Sequence, residues 1–294
     1  MPVIAYLLKV SRPRFWVYLL GPYLVGLIAA VAARDDLLNW HYAVFALYFS
    51  LPANLLVYGV NDVCDYETDK LNPKKSEYEA LVTPERRPLV LSAIMLLNLP
   101  FAAGLMSVPL AAINIMTAFV LLSIFYSSKP IRAKAVPFLD SAFNVLYITP
   151  GIFAYTLVTG SMPPWQAIAA GGLWTAAMHA FSAIPDIDSD SEAGLATIAT
   201  VLGSGGTHLF CLAVYVASAA LSIRFLGPFA IICGVVYASM MAVSSFSASR
   251  NGVFNVYRYF PVVNAIVGFC LFWYVAITRF LMCLFVPCDP GTFN

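Results

Sequence analysis

The sequence predicts an all-α polytopic membrane protein with nine transmembrane helices, and three observations lead to this fold class. Of the 294 residues, 61% are hydrophobic and only 11% are charged, whereas soluble domains carry roughly a quarter charged residues. A chain of this length has too few polar side chains to cover a soluble globule, so its apolar segments must face lipid. Apolar runs of spanning length recur along the chain, and Lys and Arg gather on alternate loops between them.

The apolar runs are separated by short loops, and we predict one domain over 1–294. The basic N-terminal stretch 1–14 is not followed by a signal-peptide cleavage pattern, so the first run is predicted to be a retained helix. Gly and Pro interrupt several runs, which spanning helices tolerate because neighbouring helices satisfy the freed backbone groups. The predicted helices lie at approximately 15–33, 41–60, 89–107, 110–127, 138–159, 165–185, 208–226, 229–247 and 260–284. The separations at 107–110 and 226–229 depend on a few Gly, Ser or Pro residues.

The distribution of Lys and Arg predicts the orientation in the membrane. With nine helices, the N-terminus and the loops after the even-numbered helices carry thirteen of the 16 Lys and Arg residues. Because cytoplasmic loops are enriched in these residues, we expect a cytoplasmic N-terminus and an external C-terminus. The thirteen are Lys9, Arg12, Arg14, Lys70, Lys74, Lys75, Arg86, Arg87, Lys129, Arg132, Lys134, Arg250 and Arg258, and the others are Arg34, Arg224 and Arg279. They form no separate basic domain, so nothing indicates nucleic-acid binding.

Three aspartates, Asp62, Asp65 and Asp69, follow the second apolar run at i, i+3 and i+7 spacing. On a regular helix their carboxylates fall within about 60° of one another. Like charges on one face repel, and at a membrane boundary they are costly unless a cation neutralises them. Oxygen ligands at this spacing suit a hard cation such as Mg²⁺ carrying a phosphorylated substrate; a solvated acidic helix end is the alternative. The same face continues into the apolar run through Asn61, Tyr58 and Asn54.

A second acidic cluster follows the sixth apolar run, 124 positions after the first. Asp186 and Asp190 are an i, i+4 pair on one helix face, and Asp188 points to nearly the opposite side. His179 lies on the Asp186 face if the helix is regular, although Pro185 favours a kink. Both clusters fall on the cytoplasmic side of the predicted topology, so we expect them to face one site. The predicted catalytic and metal-binding residues are Asp62, Asp65, Asp69, Asp186 and Asp190.

The cytoplasmic loops supply basic side chains suited to a diphosphate. Tyr126 opens the loop after the fourth helix, and Arg132 and Lys134 follow in it close to the membrane plane. These two side chains are expected to bind phosphate oxygens, with membrane anchoring as the alternative. Arg87, in the loop after the second helix, is likewise expected to bind phosphate oxygens, with membrane anchoring as the alternative.

Two other features stay open on the sequence alone. Asp140 and Asn144 begin the fifth helix one turn apart, either as helix-start polar groups or as partners of the basic loop. The six cysteines show no spacing typical of zinc. Cys64 lies off the acidic face and is interpreted as a packing residue. Cys283 and Cys288 either form an external disulfide or remain unbonded.

Taken together, these motifs resemble the UbiA superfamily of intramembrane prenyltransferases, and the resemblance covers nearly the whole chain. The matching segments are Asn61-Asp62-x-x-Asp65-x-x-x-Asp69, Arg87-Pro88-Leu89, the Tyr126-Ser127 loop, Asp186-x-x-x-Asp190-x-x-x-Gly194 and Thr197-Ile198-Ala199. The resemblance implies nine transmembrane helices around a central cavity, with cytoplasmic cap loops at 61–88 and 186–206. It also implies that Mg²⁺ bridges the aspartates and an isoprenyl diphosphate.

Flanking segments look most like the carotenoid branch of the superfamily, the lycopene elongases that make C50 carotenoids. These segments are Ser11-Arg12-Pro13-Arg14-Phe15-Trp16, Leu71-Asn72-Pro73-Lys74-Lys75, Pro137-Phe138-Leu139-Asp140 and His179-Ala180-Phe181-Ser182-Ala183-Ile184-Pro185-Asp186. Many relatives carry Lys or Arg just after the second motif, where this chain has Glu192 and Ala196. More of the diphosphate binding is therefore expected from Arg132, Lys134 and Arg87.

The resemblance implies transfer of an isoprenyl group, here dimethylallyl, from its diphosphate to a lipophilic acceptor, here lycopene. Mg²⁺ and basic side chains stabilise the departing diphosphate, and Tyr58 and Tyr126 stabilise the allylic cation through their π faces. The acceptor then attacks and loses a proton, or adds water as in some relatives. His179 is the candidate base, with a purely structural role as its alternative.

Other functions use similar residues. An aromatic acceptor of quinone synthesis, or a glyceryl phosphate of archaeal lipids, would share the donor site. A cation-coupled transporter also carries intramembrane carboxylates, but these are expected near the bilayer midplane. A phosphatidyltransferase of the CDP-alcohol type needs a D-x-x-D-G-x-x-A-R pattern, which Tyr66-Glu67 breaks. Membrane lipids are further predicted partners, and the oligomeric state stays open.

Overall fold

The computed structural model describes residues 2–70, 79–247 and 250–280, and the regular structure in these ranges is entirely helical. The α-helices are α1 (Val3–Val10), α2 (Val17–Ala30), α3 (Trp40–Tyr48), α4 (Leu51–Cys64), α5 (Tyr66–Asp69), α6 (Arg87–Gly104), α7 (Leu110–Ser127), α8 (Leu139–Ala142), α9 (Thr149–Thr159), α10 (Trp165–Ala183), α11 (Ile187–Glu192), α12 (Ile198–Leu226), α13 (Pro228–Phe246), α14 (Arg250–Tyr257) and α15 (Phe260–Phe280). Short 3₁₀ helices lie at Pro13–Phe15, Arg34–Leu38, Pro84–Arg86, Leu105–Ser107, Ala133–Ala135, Phe143–Tyr147 and Ile184–Asp186. The all-α prediction is confirmed.

Seven helical stretches in the described part of the chain are long and apolar enough to cross a membrane, and two bent pairs raise the number to nine. The pairs are Val3–Phe15 with Val17–Ala30, bent by 58°, and Leu139–Tyr147 with Thr149–Thr159, bent by 42°. If each bent pair is one span, the number equals the predicted nine. If the first pair is one span, that span begins at Val3 and not at the predicted residue 15, because α1 is helical and buries Tyr6 and Val10 one turn apart.

Both narrow separations between predicted helices are present. Val108 is extended and divides the 3₁₀ helix after α6 from α7. Gly227, with a φ of 50° and a ψ of −131°, divides α12 from α13, and a positive φ favours glycine because a Cβ is strained there. Pro228 begins α13, a position where its missing N–H removes no hydrogen bond.

The described residues form two compact units. Unit A contains the described residues of Met1–Ile131, Thr149–Pro163 and Gly268–Asn294, and unit B contains those of Arg132–Ile148 and Pro164–Val267. The first aspartate motif belongs to unit A and the second to unit B. The predicted single domain over 1–294 and its cap loops stay predictions.

Unit A has an aromatic core and one very close helix contact. Phe45 and Phe153 pack edge to face with ring centroids 4.7 Å apart, a geometry that aromatic quadrupoles favour. Helices α2 and α9 meet at Gly26 and Gly151, where a Cβ on Gly26 would lie 2.1 Å from the Gly151 carbonyl oxygen. Arg279 donates from Nε to the Val31 carbonyl at 3.2 Å and so ties α15 to the end of α2.

Unit B is built around α10, α12 and α13. Tyr215 and Tyr237 stack with ring centroids 4.6 Å apart, and the Tyr237 hydroxyl donates to Asn264 Oδ1 at 2.9 Å. His208 joins α12 to α13 through a 2.8 Å hydrogen bond between its Nε2 and Ser244 Oγ. These bonds satisfy polar groups inside an apolar core, where an unpaired group is costly.

Candidate active site

The first aspartate motif spans a break between two helices. Helix α4 ends at Cys64, Asp65 has non-helical dihedrals (φ −111°, ψ 14°), and α5 begins at Tyr66. The expected continuous helix through Asp62, Asp65 and Asp69 is therefore interrupted. Asp65 is the N-cap of α5, and its backbone carbonyl accepts from the Asp69 N–H at 2.8 Å, while its side chain makes no capping hydrogen bond.

Arg12 lies against the first aspartate of the motif. Its Nη2 donates to Asp62 Oδ1 at 2.7 Å and lies 3.1 Å from Glu79 Oε2. The guanidinium also lies 4.7 Å from the centroid of the Tyr58 ring, a cation–π distance. Arg14 approaches the other oxygen of Glu79 at 2.8 Å. Asp62 and Asp65, at 0% and 2% exposure, are thus buried carboxylates, and Asp62 has the Arg12 guanidinium as its partner.

Sequence reasoning had assigned Arg12 only to membrane topology and to the subfamily resemblance. Its partner is 50 positions away, so no local spacing shows the pair. The local signal is backbone geometry, since Arg12 has a φ of 51° between α1 and a 3₁₀ helix. A non-glycine residue in this region is strained and is held there by its surroundings.

Other predicted residues of unit A are placed around α4. Asn61 donates from Nδ2 to Ser127 Oγ at 2.8 Å, which joins the first motif to the residue after Tyr126. Asn54 is fully buried, and its Nδ2 donates to the carbonyls of Phe49 and Ser50 at 3.1 and 2.5 Å. Its amide therefore supports the break between α3 and α4, and its substrate role stays a prediction.

Arg87 begins α6, and its guanidinium carbon lies 5.9 Å from the centroid of the Tyr66 ring beside Asp65. Its Nε is buried and has no hydrogen-bond partner among the described residues. Nearby, Lys70 donates to the Glu67 carboxylate, and this hydrogen bond raises the pKa of Lys70. Unit A therefore gathers three predicted carboxylates and a predicted phosphate-binding arginine within one structural unit.

The basic turn of unit B repeats the backbone geometry seen at Arg12. Arg132 has a φ of 46°, and Lys134 sits in the 3₁₀ helix Ala133–Ala135 that follows. Arg132 and Lys134 are both half-buried, whereas Lys129 is exposed. Exposure of Lys129 suits a membrane anchor, as the positive-inside interpretation expects.

The second aspartate motif begins in a 3₁₀ turn. Pro185 lies inside the turn Ile184–Asp186, so the predicted kink is present. Asp186 and Asp190 are half-buried, whereas Asp188 is exposed, in agreement with the expected opposite orientation. The predicted segment 71–75, together with Cys283 and Cys288, lies outside the described residues.

Asp140 is the fully buried carboxylate of unit B. Its Oδ1 accepts from the Ser141 N–H and its Oδ2 from the Ile198 N–H, each at 2.8 Å. Asn144 donates to the Asp140 carbonyl at 2.6 Å, and His179 Nε2 lies 3.7 Å from Asp140 Oδ2. Asp140 therefore accepts hydrogen bonds from the first turns of its own helix and of α12. Of the two roles that the sequence allows, the structure supports the helix-start role.

The donor set fits a hard divalent cation by its chemistry. The described residues contain no group of three His, Cys, Asp or Glu side chains arranged to hold a metal by themselves. Mg²⁺ is commonly bound through one or two carboxylates, with substrate phosphates and water as its other ligands. Asp62 and Asp65 are carboxylates of the required kind, and their burial removes them from competing bulk water.

Comparison with known proteins gives consistent results. A family model described as UbiA prenyltransferase family matches residues 19–253. A lycopene elongase/hydratase of Haloferax volcanii is 41% identical over 90% of this chain and 86% of its own length. A lycopene elongase/hydratase of Halobacterium salinarum is 38% identical over 90% of this chain and 94% of its own length. The predicted resemblance, including that to the carotenoid branch, is confirmed.

The fold agrees with that of solved structures. The structure of a UbiA homologue from Archaeoglobus fulgidus bound to GPP and Mg²⁺ superposes with a TM-score of 0.64 at 18% identity, covering 91% of this chain and 99% of that chain. The family model matches most of the chain, and the two lycopene elongase/hydratases match nine-tenths of it. These matches agree with the apolar helices and the two aspartate motifs. This chain belongs to the UbiA prenyltransferase family and is an integral membrane prenyltransferase.

Proposed function

We propose that this enzyme elongates lycopene by transferring dimethylallyl groups from dimethylallyl diphosphate to the ends of the carotenoid. The observation that carries the proposal is the extent of the likeness to lycopene elongase/hydratases, 41% identity over 90% of the chain. The flanking segments that suggested the carotenoid branch include Arg12 and His179, and both lie beside buried carboxylates in the structure.

We further propose that the two aspartate motifs hold Mg²⁺ and the donor diphosphate. The metal-binding residues would be Asp62, Asp65, Asp69, Asp186 and Asp190. When bound, Mg²⁺ supplies positive charge that offsets the charge of the departing diphosphate.

The basic residues of the chain have a defined task in this proposal. Arg12, Arg87, Arg132 and Lys134 donate hydrogen bonds to phosphate oxygens, and guanidinium groups suit such oxygens through paired donors. Arg12 is placed beside this group because its Nη2 donates to the buried Asp62 at 2.7 Å. A diphosphate would have to compete with Asp62 and Glu79 for its donors.

The organic step needs a site that excludes water. The C–O bond to the diphosphate breaks and leaves an allylic cation, which an apolar interior protects from hydrolysis. Tyr58 and Tyr126 stabilise this cation through their ring faces; Tyr58 is 8% exposed and already accepts a guanidinium against its ring. The terminal double bond of the acceptor then attacks the cation, and the new carbocation loses a proton or takes up water.

The proposed site faces the cytoplasm. The positive-inside distribution supports a cytoplasmic N-terminus and active-site loops and an external C-terminus. Phosphorylated isoprenoids and Mg²⁺ are cytoplasmic solutes, so this orientation gives the donor direct access from water while the acceptor enters from lipid.

The test is expression in a lycopene-producing bacterium, followed by pigment extraction and mass spectrometry. We expect species heavier by one and two C5 units with the wild type and none with Asp62→Ala at equal membrane abundance. Asp35→Ala is the matched control, because Asp35 is an exposed aspartate in the 3₁₀ helix Arg34–Leu38 and belongs to neither motif. Unaltered lycopene with dimethylallyl diphosphate present would overturn the acceptor assignment and direct the search to quinone head groups and glyceryl phosphates.

A further inference from the structure

Arg12 joins the first aspartate motif to an acidic residue that belongs to neither motif. Its Nη2 donates to Asp62 Oδ1 at 2.7 Å and lies 3.1 Å from Glu79 Oε2. Because both oxygens approach one nitrogen, the two carboxylates are close neighbours on either side of a single guanidinium. Asp62 and Glu79 are 0% and 8% exposed, so bulk water screens the charges of this group only weakly.

The guanidinium of Arg12 is held in place beside Asp62. Its central carbon lies 4.7 Å from the centroid of the Tyr58 ring, and Tyr58 stands one helical turn before Asp62 on α4. The backbone at Arg12 has a φ of 51°, a conformation that a non-glycine residue keeps only when its surroundings fix it. The positive charge therefore stays next to Asp62, where it repels any other cation that this carboxylate binds.

Glu79 is placed to offset this repulsion. Arg14 donates from Nη2 to Glu79 Oε1 at 2.8 Å, which leaves Oε2 directed at Arg12. The Arg14 side chain is 51% exposed, so solvent screens its charge, whereas the Arg12 side chain is 13% exposed. The negative charge of Glu79 therefore acts mainly on the guanidinium that lies against Asp62.

The segment that carries Glu79 is attached to α1 by contacts other than these ion pairs. The Tyr6 hydroxyl donates to the Leu81 carbonyl at 3.3 Å, and the guanidinium carbon of Arg86 lies 4.4 Å from the centroid of the Tyr6 ring. A change in the charge of Glu79 should therefore leave the segment in place. Glu79→Gln makes this change, because glutamine has the same length and keeps an acceptor oxygen for Arg12.

We infer that Glu79 is a positioning residue for the divalent cation of the first motif, because it neutralises Arg12 and so lets Asp62 bind the cation beside a fixed guanidinium. The inference rests on the metal role of Asp62 in the proposed function. Without the charge of Glu79, both hydrogens of Arg12 Nη2 can turn to Asp62, and the pair competes more strongly with the cation. Loss of Arg12 has the opposite effect, since it removes the competing charge.

The experiment is equilibrium binding of Mn²⁺ to the purified full-length protein in detergent. The electron paramagnetic resonance signal of free Mn²⁺ reports binding, and Mg²⁺ is the competing ion. Neither diphosphate nor acceptor is added, so the result does not depend on turnover. We expect Glu79→Gln to weaken Mn²⁺ binding by about tenfold or more. Glu79→Asp keeps the charge and should bind Mn²⁺ more tightly than Glu79→Gln does.

Further variants separate an effect of charge from an effect of packing. Arg12→Gln should bind Mn²⁺ more tightly than the wild type, and its combination with Glu79→Gln should return the affinity to near the wild-type value, because the two lost charges cancel. A packing defect would weaken binding in all three proteins. Glu85→Gln is the matched control, since it removes the same charge from an exposed position six residues away. It should leave the affinity unchanged.

Thermal unfolding in detergent accompanies each variant. If Glu79→Gln does not accumulate, Arg12→Gln decides the question, and Mn²⁺ affinity that is unchanged or weaker in Arg12→Gln overturns the inference. Wild-type affinity in Glu79→Gln also overturns it, while Mn²⁺ binding by the wild type retains the metal role of the aspartates. A wild type that binds no Mn²⁺ overturns that metal role, and the inference with it, whereas elongated pigments test the elongation separately.

Discussion

Arg12 donates a 2.7 Å hydrogen bond to Asp62, a carboxylate with 0% of its side chain exposed. Arg12 is itself 13% exposed, so both charges have left bulk water, and their mutual attraction offsets part of that cost. The same guanidinium reaches Glu79 at 3.1 Å. One aspartate of the first motif is therefore already paired with a cation supplied by the N-terminal segment.

The Arg12–Asp62 pair should contribute to stability as well as to binding. We expect Arg12→Met to lower the free energy of unfolding by about 3 kcal/mol, because it leaves a buried carboxylate without its guanidinium. Thermal unfolding in detergent measures the change. Arg14→Met is the control, since Arg14 is 51% exposed and its ion pair should contribute no more than about 1 kcal/mol. Equal effects of the two substitutions would contradict this account of the pair.

Arg132 should affect the diphosphate more than the membrane anchoring of its loop. A lost hydrogen bond to a charged group costs about 1.5–3 kcal/mol, so we expect Arg132→Ala to weaken diphosphate affinity by about tenfold to a hundredfold. Equilibrium binding of dimethylallyl diphosphate to purified protein measures this directly. Lys129→Ala, which removes an exposed charge from the same loop, should leave the affinity unchanged. If both variants bound dimethylallyl diphosphate as tightly as the wild type, Arg132 would be a membrane anchor and not a phosphate ligand.

Removal of divalent cations should abolish both turnover and diphosphate binding. The aspartates alone repel a diphosphate, so without a cation only the basic side chains attract it. We expect chelation to eliminate alkylation and to weaken donor binding, and added Mg²⁺ to restore both. Zn²⁺ or Ca²⁺ in its place tests how strictly the site selects a small, hard cation. Alkylation that persists at full rate in chelator would refute the assignment of the aspartates.

The contact between α2 and α9 should tolerate no side chain. A Cβ on Gly26 would lie 2.1 Å from the Gly151 carbonyl oxygen, so Gly26→Ala must displace a backbone and should destabilise unit A by about 1–3 kcal/mol. The control is Gly268→Ala in α15, where nothing lies within 4 Å of the added Cβ. That variant should be neutral or slightly more stable, because alanine favours a helix. If Gly26→Ala and Gly268→Ala unfolded at the same temperature, the close contact between α2 and α9 would not contribute to stability.

The hydropathy pattern and the spacing of charges were sufficient for the main features of the fold. Nine apolar runs correspond to seven spans and two bent pairs, since spanning length and apolar composition are local properties. Pro185 also produced its expected interruption, because a proline acts on the turn in which it sits.

Features of the site that depend on distant partners were not predictable in the same way. Asp140 binds the Ile198 N–H across 58 positions, and Arg12 meets Asp62 across 50. The break at Asp65 was not predicted for a different reason. The i, i+3, i+7 pattern assumes an uninterrupted helix, so it does not indicate that one of its residues is an N-cap. Whether the two motifs hold one metal site together stays a prediction.

The discontinuous composition of unit A has a consequence for biosynthesis. Its last described segment begins at Gly268, after the final residue of unit B, and Arg279 in that segment closes onto Val31 near the start of the chain. The ribosome therefore delivers all of unit B to the membrane while unit A still lacks a helix. The Val31 carbonyl can therefore receive the Arg279 hydrogen bond only after all of unit B has been synthesised, and a nascent chain stopped before Gly268 has an incomplete unit A.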